Sequence, residues 1–216
     1  MTACLTVEQV LCSGTPRIPL NRRALAQLLR DRPKPDTVEP LLSDNEIDTI
    51  RAAIVYLGIY GSMRECPPLA LCLQHPDEGI VKLAEHSLMC IWMQSGSKRA
   101  NRRLAAAIKC LDRENYFAAS QMLTELVDYE PSFAEAFFQR GVALCYLEQH
   151  DYAGRSYRQA LQLNPYHFWA AAAIGHTCIE SGNFAGALNY YRQALRIHPR
   201  MEELPAAIVQ LESLVQ

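Results

Sequence analysis

An all-α fold, an α-solenoid of stacked helix hairpins, is what this sequence predicts, and three observations predict it. Pro131, Pro165 and Pro199 stand 34 residues apart, twice over. Other residues keep the same step: Gly141 and Gly175; Ala119, Ala153 and Ala187; Tyr157 and Tyr191; and the tetrapeptide Arg-Gln-Ala-Leu at 158–161 and 192–195. Gly141, Gly175 and the matching alanines are small residues where two helices approach closely. A period of this length marks an array in which each unit is one helix pair that buries its apolar side only against its neighbours. Such an array predicts a surface for holding a partner rather than a chemical site.

Composition narrows the alternatives. The chain has 216 residues, half of them apolar, which is enough for a sizeable core. A net charge of −2 gives no global pull toward nucleic acid. The charge is uneven, because residues 14–35 hold six basic side chains against one acid, Asp31. The eight cysteines include no Cys-x-x-Cys pair, and several fall inside expected helices, where cysteine acts as a small hydrophobe. This predicts a reduced, cytoplasmic protein; the alternative is an organelle-targeted one, since residues 1–34 are Arg-rich and poor in acids. No stretch approaches the roughly 18 apolar residues of a membrane span, so no transmembrane segment is expected.

The elements follow in order. Residues 1–42 form a basic segment broken by Pro16, Pro19, Pro33, Pro35 and Pro40. One helix is expected at about 20–31, with Leu25, Leu28 and Leu29 on one face, and a short one near 5–11. Residues 43–97 read as three helices. Ser43 and Glu46 fit a capping box ahead of Ile47, Ile50, Ile54 and Leu57, and Gly61 ends that helix. The second spans about 65–74, with Pro67 and Pro68 in its first turn. The third carries Ile80, Ala84, Leu88 and Ile91 and closes at Ser95-Gly96-Ser97. Residues 98–200 hold three repeats, 98–131, 132–165 and 166–200. Ser132 and Glu135 fit another capping box. Residues 201–216 form a capping helix, apolar along Ile208, Leu211 and Val215 and polar at Glu202, Glu203, Gln210 and Glu212.

The repeat residues carry a resemblance. Residues 98–200 resemble tetratricopeptide repeats, which take a small residue, an alanine, an aromatic or leucine, an alanine or leucine and a proline at fixed places. This chain supplies Ala107, Ala119, Leu123, Leu126 and Pro131; then Gly141, Ala153, Tyr157, Ala160 and Pro165; then Gly175, Ala187, Tyr191, Ala194 and Pro199. It departs from the pattern at Arg103, where a large apolar residue is usual, and at His150, where Tyr116 and Phe184 keep the aromatic. The long–short–long helices of 43–97 resemble HEAT-type repeats. The resemblance implies a right-handed superhelix whose concave face is lined by the first helix of each repeat. Its groove residues would be Asn101, Leu104, Ile108 and Leu111; Glu135, Phe138, Val142 and Cys145; Trp169, Ala172, His176 and Ile179.

Those residues make a largely apolar groove. The subclass that clamps a terminal carboxylate uses Lys, Asn and Arg there, which Leu104, Ile108, Phe138 and Val142 do not match. An apolar groove implies an amphipathic helix or a peptide with aromatic anchors, bound by a non-enzymatic scaffold or adaptor. Phe138, Trp169, Leu104 and Ile108 would bury ligand side chains, and His176, Glu135 and Asn101 would set the register. The competing reading is that the chain fills its own groove, with the N-terminal segment or a second copy covering Phe138 and Trp169 as an oligomer interface. The basic patch Arg17, Arg22, Arg23, Arg30, Arg32 and Lys34 suits an acidic partner, or else is a solvated face; nucleic acid is disfavoured because no aromatic interleaves it. Cys66, Cys72, His75, His86 and Cys90 lack the paired short spacings of zinc ligands, so no metal is expected. No cofactor is expected either, because no Gly-rich phosphate loop appears. Catalytic motifs are also missing, which predicts no enzyme.

Overall fold

Prolines and small residues set where each helix stops. The computed structural model describes residues 22–215, and every regular element among them is helical. The helix expected near 5–11, Arg17, and the Arg22 side chain lie outside the described residues. The chain divides into two compact units, Met1–Ile91 and Trp92–Gln216.

In the first unit, α1 (Arg22–Asp31) lays Leu25, Leu28 and Leu29 against α3 (Ile47–Tyr60). Between them, Pro35 starts the single turn α2 (Pro35–Val38), which runs into a 3-10 turn at Glu39–Ser43. These turns form in a stretch that reads as irregular, because a proline that breaks one helix is pre-set for the first turn of the next. After Asp48, Thr49 and Arg51 near its start, α3 is apolar and is buried without interruption from Ala52 to Gly58. α4 (Cys66–Leu71) and a 3-10 turn follow, then α5 (Glu78–Gln94). α3 and α5 approach closely: a Cβ on Gly58 would lie 2.6 Å from Ser87 Oγ. That hydroxyl donates to the Ile54 carbonyl at 3.0 Å.

The expected Ser43/Glu46 box does not form. Glu46 itself is the N-cap, and its N–H donates to Asp44 Oδ1 at 2.8 Å. A capping box forms instead at Ser62 and Glu65, where Ser62 N donates to Glu65 Oε2 at 2.6 Å.

Arg51 Nη2 reaches both carboxylate oxygens of Asp77, at 3.0 and 3.1 Å. Asp77 Oδ1 also accepts from Ile80 N at 2.9 Å. Burial would raise the Asp77 pKa, but the Ile80 N–H and the Arg51 guanidinium outweigh it and hold the carboxyl below its ordinary value. A depressed folded pKa contributes stability above the unfolded value of about 3.9, lost as pH falls through the folded pKa. Asp77→Asn keeps an N-cap and removes the charge. Its urea midpoint is expected to fall below wild type at neutral pH and to converge on it as pH falls through the depressed folded pKa, where the Asp77 carboxyl becomes neutral too. A constant gap across that range would remove the ion pair as its cause.

The second unit holds three helix hairpins: α6 (Lys98–Leu111) with α7 (Tyr116–Tyr129), α8 (Ala134–Tyr146) with α9 (His150–Leu163), and α10 (Phe168–Glu180) with α11 (Phe184–Ile197). α12 (Glu203–Val215) follows and buries Leu204 and Leu211. The hairpin turns also keep the period, because Glu114, Glu148 and Gly182 take left-handed φ values of 59°, 60° and 71°. Asn115 and Asn183 cap the helices that follow, accepting from Ala118 N at 3.3 Å and Gly186 N at 2.9 Å. The Ser132/Glu135 box is absent, since α8 starts one residue later than that pattern needs and Phe133, 1 % exposed, is its N-cap. The small register residues do what their size implies: the ring of Tyr157 lies against Gly141 and that of Tyr191 against Gly175.

Candidate functional site

The first helices of the three hairpins, α6, α8 and α10, bring the twelve expected groove positions to equivalent places. Their N-terminal halves are already engaged by the chain itself. Trp92 opens the second unit and is 1 % exposed. Its ring stacks on His167 with centroids 4.5 Å apart, tilts on Phe168 at 5.4 Å and meets Trp169 edge-on at 6.2 Å. His167 also touches Phe138 at 4.5 Å, and Phe138 reaches Tyr157 at 5.7 Å. Phe138 and Trp169 are half-buried.

The polar groups of this half are fixed in sequence. His167 is the N-cap of α10, and its Nδ1 accepts from Ala170 N at 3.2 Å. The ring proton therefore belongs on Nε2, which donates to Glu135 Oε2 at 3.3 Å. Glu135 Oε1 accepts from Gln139 Nε2 at 2.7 Å. Glu135 is 4 % exposed and His167 fully buried, so this pair orients the helix ends instead of facing solvent. Asn101 Nδ2 donates to the Gln94 carbonyl at 3.0 Å. Leu104 and Ala172 belong to the core at 0 % and 6 % exposure.

The C-terminal halves differ. Ile108, Leu111, Val142, Cys145 and Ile179 are half-buried, and His176 is exposed. They form an apolar strip with one imidazole at its edge. Tyr191 hydroxyl and His176 Nδ1 are 2.7 Å apart. The ring is exposed at one edge, but the protein packed around its Tyr191 side partly desolvates it and lowers the His176 pKa, against the opposing charges of Glu203 and Glu180, so the ring is held toward its neutral form. Burial also raises the Tyr191 phenol to about 12. The hydroxyl accordingly donates to Nδ1, leaving His176 Nε2 as an outward donor.

Sequence reasoning missed Trp92 and His167. His167 shares the 34-residue register with Phe133 and Met201, which could have marked it, whereas Trp92 precedes the array and has no counterpart in it. Of the basic patch, Arg23, Arg30, Arg32 and Lys34 are exposed. Cys66, Cys72, Cys90 and Cys178 are buried free thiols, and burial pushes Cys72 up to about 11. Among the described residues no three His, Cys, Asp or Glu side chains converge as metal ligands. No helix among them is long and apolar enough to cross a membrane.

Known proteins share this geometry. A family model described as tetratricopeptide repeat matches residues 170–200. The small glutamine-rich tetratricopeptide repeat-containing protein 2 of Mycosarcoma maydis is 26 % identical over 106 residues, 49 % of this chain and 30 % of that protein. The chain thus spans under a third of that relative's length. Among solved structures, the first tetratricopeptide domain of Spaghetti (RPAP3), bound to the HSP90 peptide SRMEEVD, superposes with a TM-score of 0.54 at 18 % identity, covering 56 % of this chain and 95 % of that one. The Sgt2 tetratricopeptide domain from Aspergillus fumigatus gives 0.51 at 14 % identity, covering 55 % and 80 %. At these identities the likeness is one of fold.

Proposed function

We propose that this chain, whose residues 170–200 match a tetratricopeptide repeat and whose helices α6 to α11 form three hairpins, is a non-enzymatic protein-interaction scaffold that takes a peptide segment with apolar side chains on its first-helix face. One observation carries the reading: Ile108, Val142 and Ile179 stand half-accessible on the first helices of three successive hairpins, with His176 exposed on the third. Apolar side chains of an amphipathic helix or extended peptide lose water against that strip, and His176 Nε2 offers one donor to fix register. The Mycosarcoma maydis relative supports the repeat assignment only. An acidic chain terminus such as SRMEEVD is not the ligand proposed, because Leu104, Ile108, Phe138 and Val142 occupy the places of the clamping side chains.

A random peptide library selected on the intact chain tests this. Enriched peptides are expected to share apolar side chains and to bind about tenfold or more weakly to Val142→Asp, a charge in the middle of the strip. Far-UV circular dichroism checks that the variant folds. Selected peptides that bind Val142→Asp equally well would overturn the strip as the site. A chain that sediments as a constitutive dimer and selects no peptide would make the strip a self-association surface instead.

A further inference from the structure

A second surface lies on α6, on the face beside the groove. Residues 98–113 carry six basic side chains and one acid, and α6 itself contains no acid. Arg99 and Arg103 are committed, lying over the Tyr129 ring at 5.3 and 5.2 Å, with Glu125 4.0 Å from Arg103. Lys98, Arg102 and Lys109 are different. All three are exposed and form no ion pair or hydrogen bond among the described residues. At about 100° per residue they fall on one narrow stripe, about 16 Å long at 1.5 Å per residue. Ala105 and Ala106, both exposed, flank the stripe on either side between Arg102 and Lys109 and leave room for a neighbouring backbone. Cations in the first turn of a helix oppose its dipole, and like charges at i, i+4 repel. Lys98 sits in the first turn and Arg102 stands four residues beyond it, so folding alone does not favour the pair.

We propose that Lys98, Arg102 and Lys109 form a docking track for an acidic peptide segment with small residues between its carboxylates. Nucleic acid fits less well. Residues 92–216 as a whole carry 12 basic and 12 acidic side chains. Three free cations fall short of the six to ten phosphate contacts of strong binders, in round numbers. The Tyr129 ring beside α6 is already taken by Arg99 and Arg103.

The test uses a fluorescein-labelled, alanine-based helical peptide with glutamates at the spacing of Lys98, Arg102 and Lys109. Its anisotropy is titrated with the full chain and with the triple variant Lys98→Glu, Arg102→Glu, Lys109→Glu. Lys98→Glu in the first turn suits the helix dipole and Lys109→Glu in the last turn opposes it, so the two offset and the variant is expected to keep its helical signal and thermal midpoint. Binding is expected to weaken by about tenfold or more in the variant, and to weaken with added salt in wild type. Equal affinity of the two chains, or no binding to wild type, overturns the track. Oligothymidylate of the same charge binding wild type more tightly than the peptide overturns the acidic-peptide assignment in favour of nucleic acid.

Discussion

Trp92→Ala is expected to lower the unfolding free energy by about 3–5 kcal/mol, the range for truncating a fully buried aromatic. Trp92 is 1 % exposed and touches three rings, those of His167, Phe168 and Trp169. Removing it leaves a void that the fixed helix starts of α8 and α10 cannot close. Its indole N–H has no hydrogen-bond partner among the described residues. No polar contact is lost on substitution, so Trp92→Phe should recover most of the deficit by shape alone. Urea unfolding followed by circular dichroism measures both. Trp169 is the other tryptophan of the chain, so in Trp92→Ala the remaining fluorescence reports it directly. Emission is expected to shift to the red as the edge-on contact is replaced by water. A loss below about 1 kcal/mol would show that the ring cluster does not hold the array.

What was legible in the sequence was whatever the repeat imposes three times. Prolines at 131, 165 and 199 end α7, α9 and α11 because they follow helix ends. The small residues and their partners appear as paired columns: Ala107 with Leu123, Gly141 with Tyr157, Gly175 with Tyr191. α12 was visible from its one apolar edge. The groove was legible as a register, but its accessibility was not. Which half is covered depends on Trp92, a residue outside the period, and on His167, whose neighbours are set by three-dimensional packing. The two mistaken capping boxes share a cause. A serine and glutamate at the right spacing cap a helix only if the helix starts beside the serine, and at 132 and 43 local backbone geometry moved that start downstream. The α6 stripe is hidden in the sequence because six cations crowd residues 98–113 and their spacing alone does not say which are paired. Only folding separates the arginines held on Tyr129 from the cations left free.

Gly141→Ala reverses the usual sign for a helical glycine. In an ordinary helix interior the change stabilises by about 0.5–1 kcal/mol, since alanine loses less backbone entropy. Here the added Cβ would lie 2.4 and 2.5 Å from two ring carbons of Tyr157, which is itself 4 % exposed. The ring is backed by Phe138 at 5.7 Å and has little room to withdraw. Overpacking of this kind costs about 1–3 kcal/mol, so a net loss is expected in thermal and urea unfolding. Gly175→Ala should behave alike, with Tyr191 carbons at 2.3 and 2.4 Å. Gly154→Ala is the control, because its nearest neighbour is the Thr177 hydroxyl at 3.2 Å. That variant should be close to neutral. The first repeat supplies the compensation. At the same register it carries Ala107 and Leu123, both fully buried, so a shorter side chain accepts the Cβ that Tyr157 rejects. Gly141→Ala combined with Tyr157→Leu is therefore expected to be more stable than Gly141→Ala alone. Strictly additive losses in the double variant would mean that ring contact is not what keeps glycine at this position.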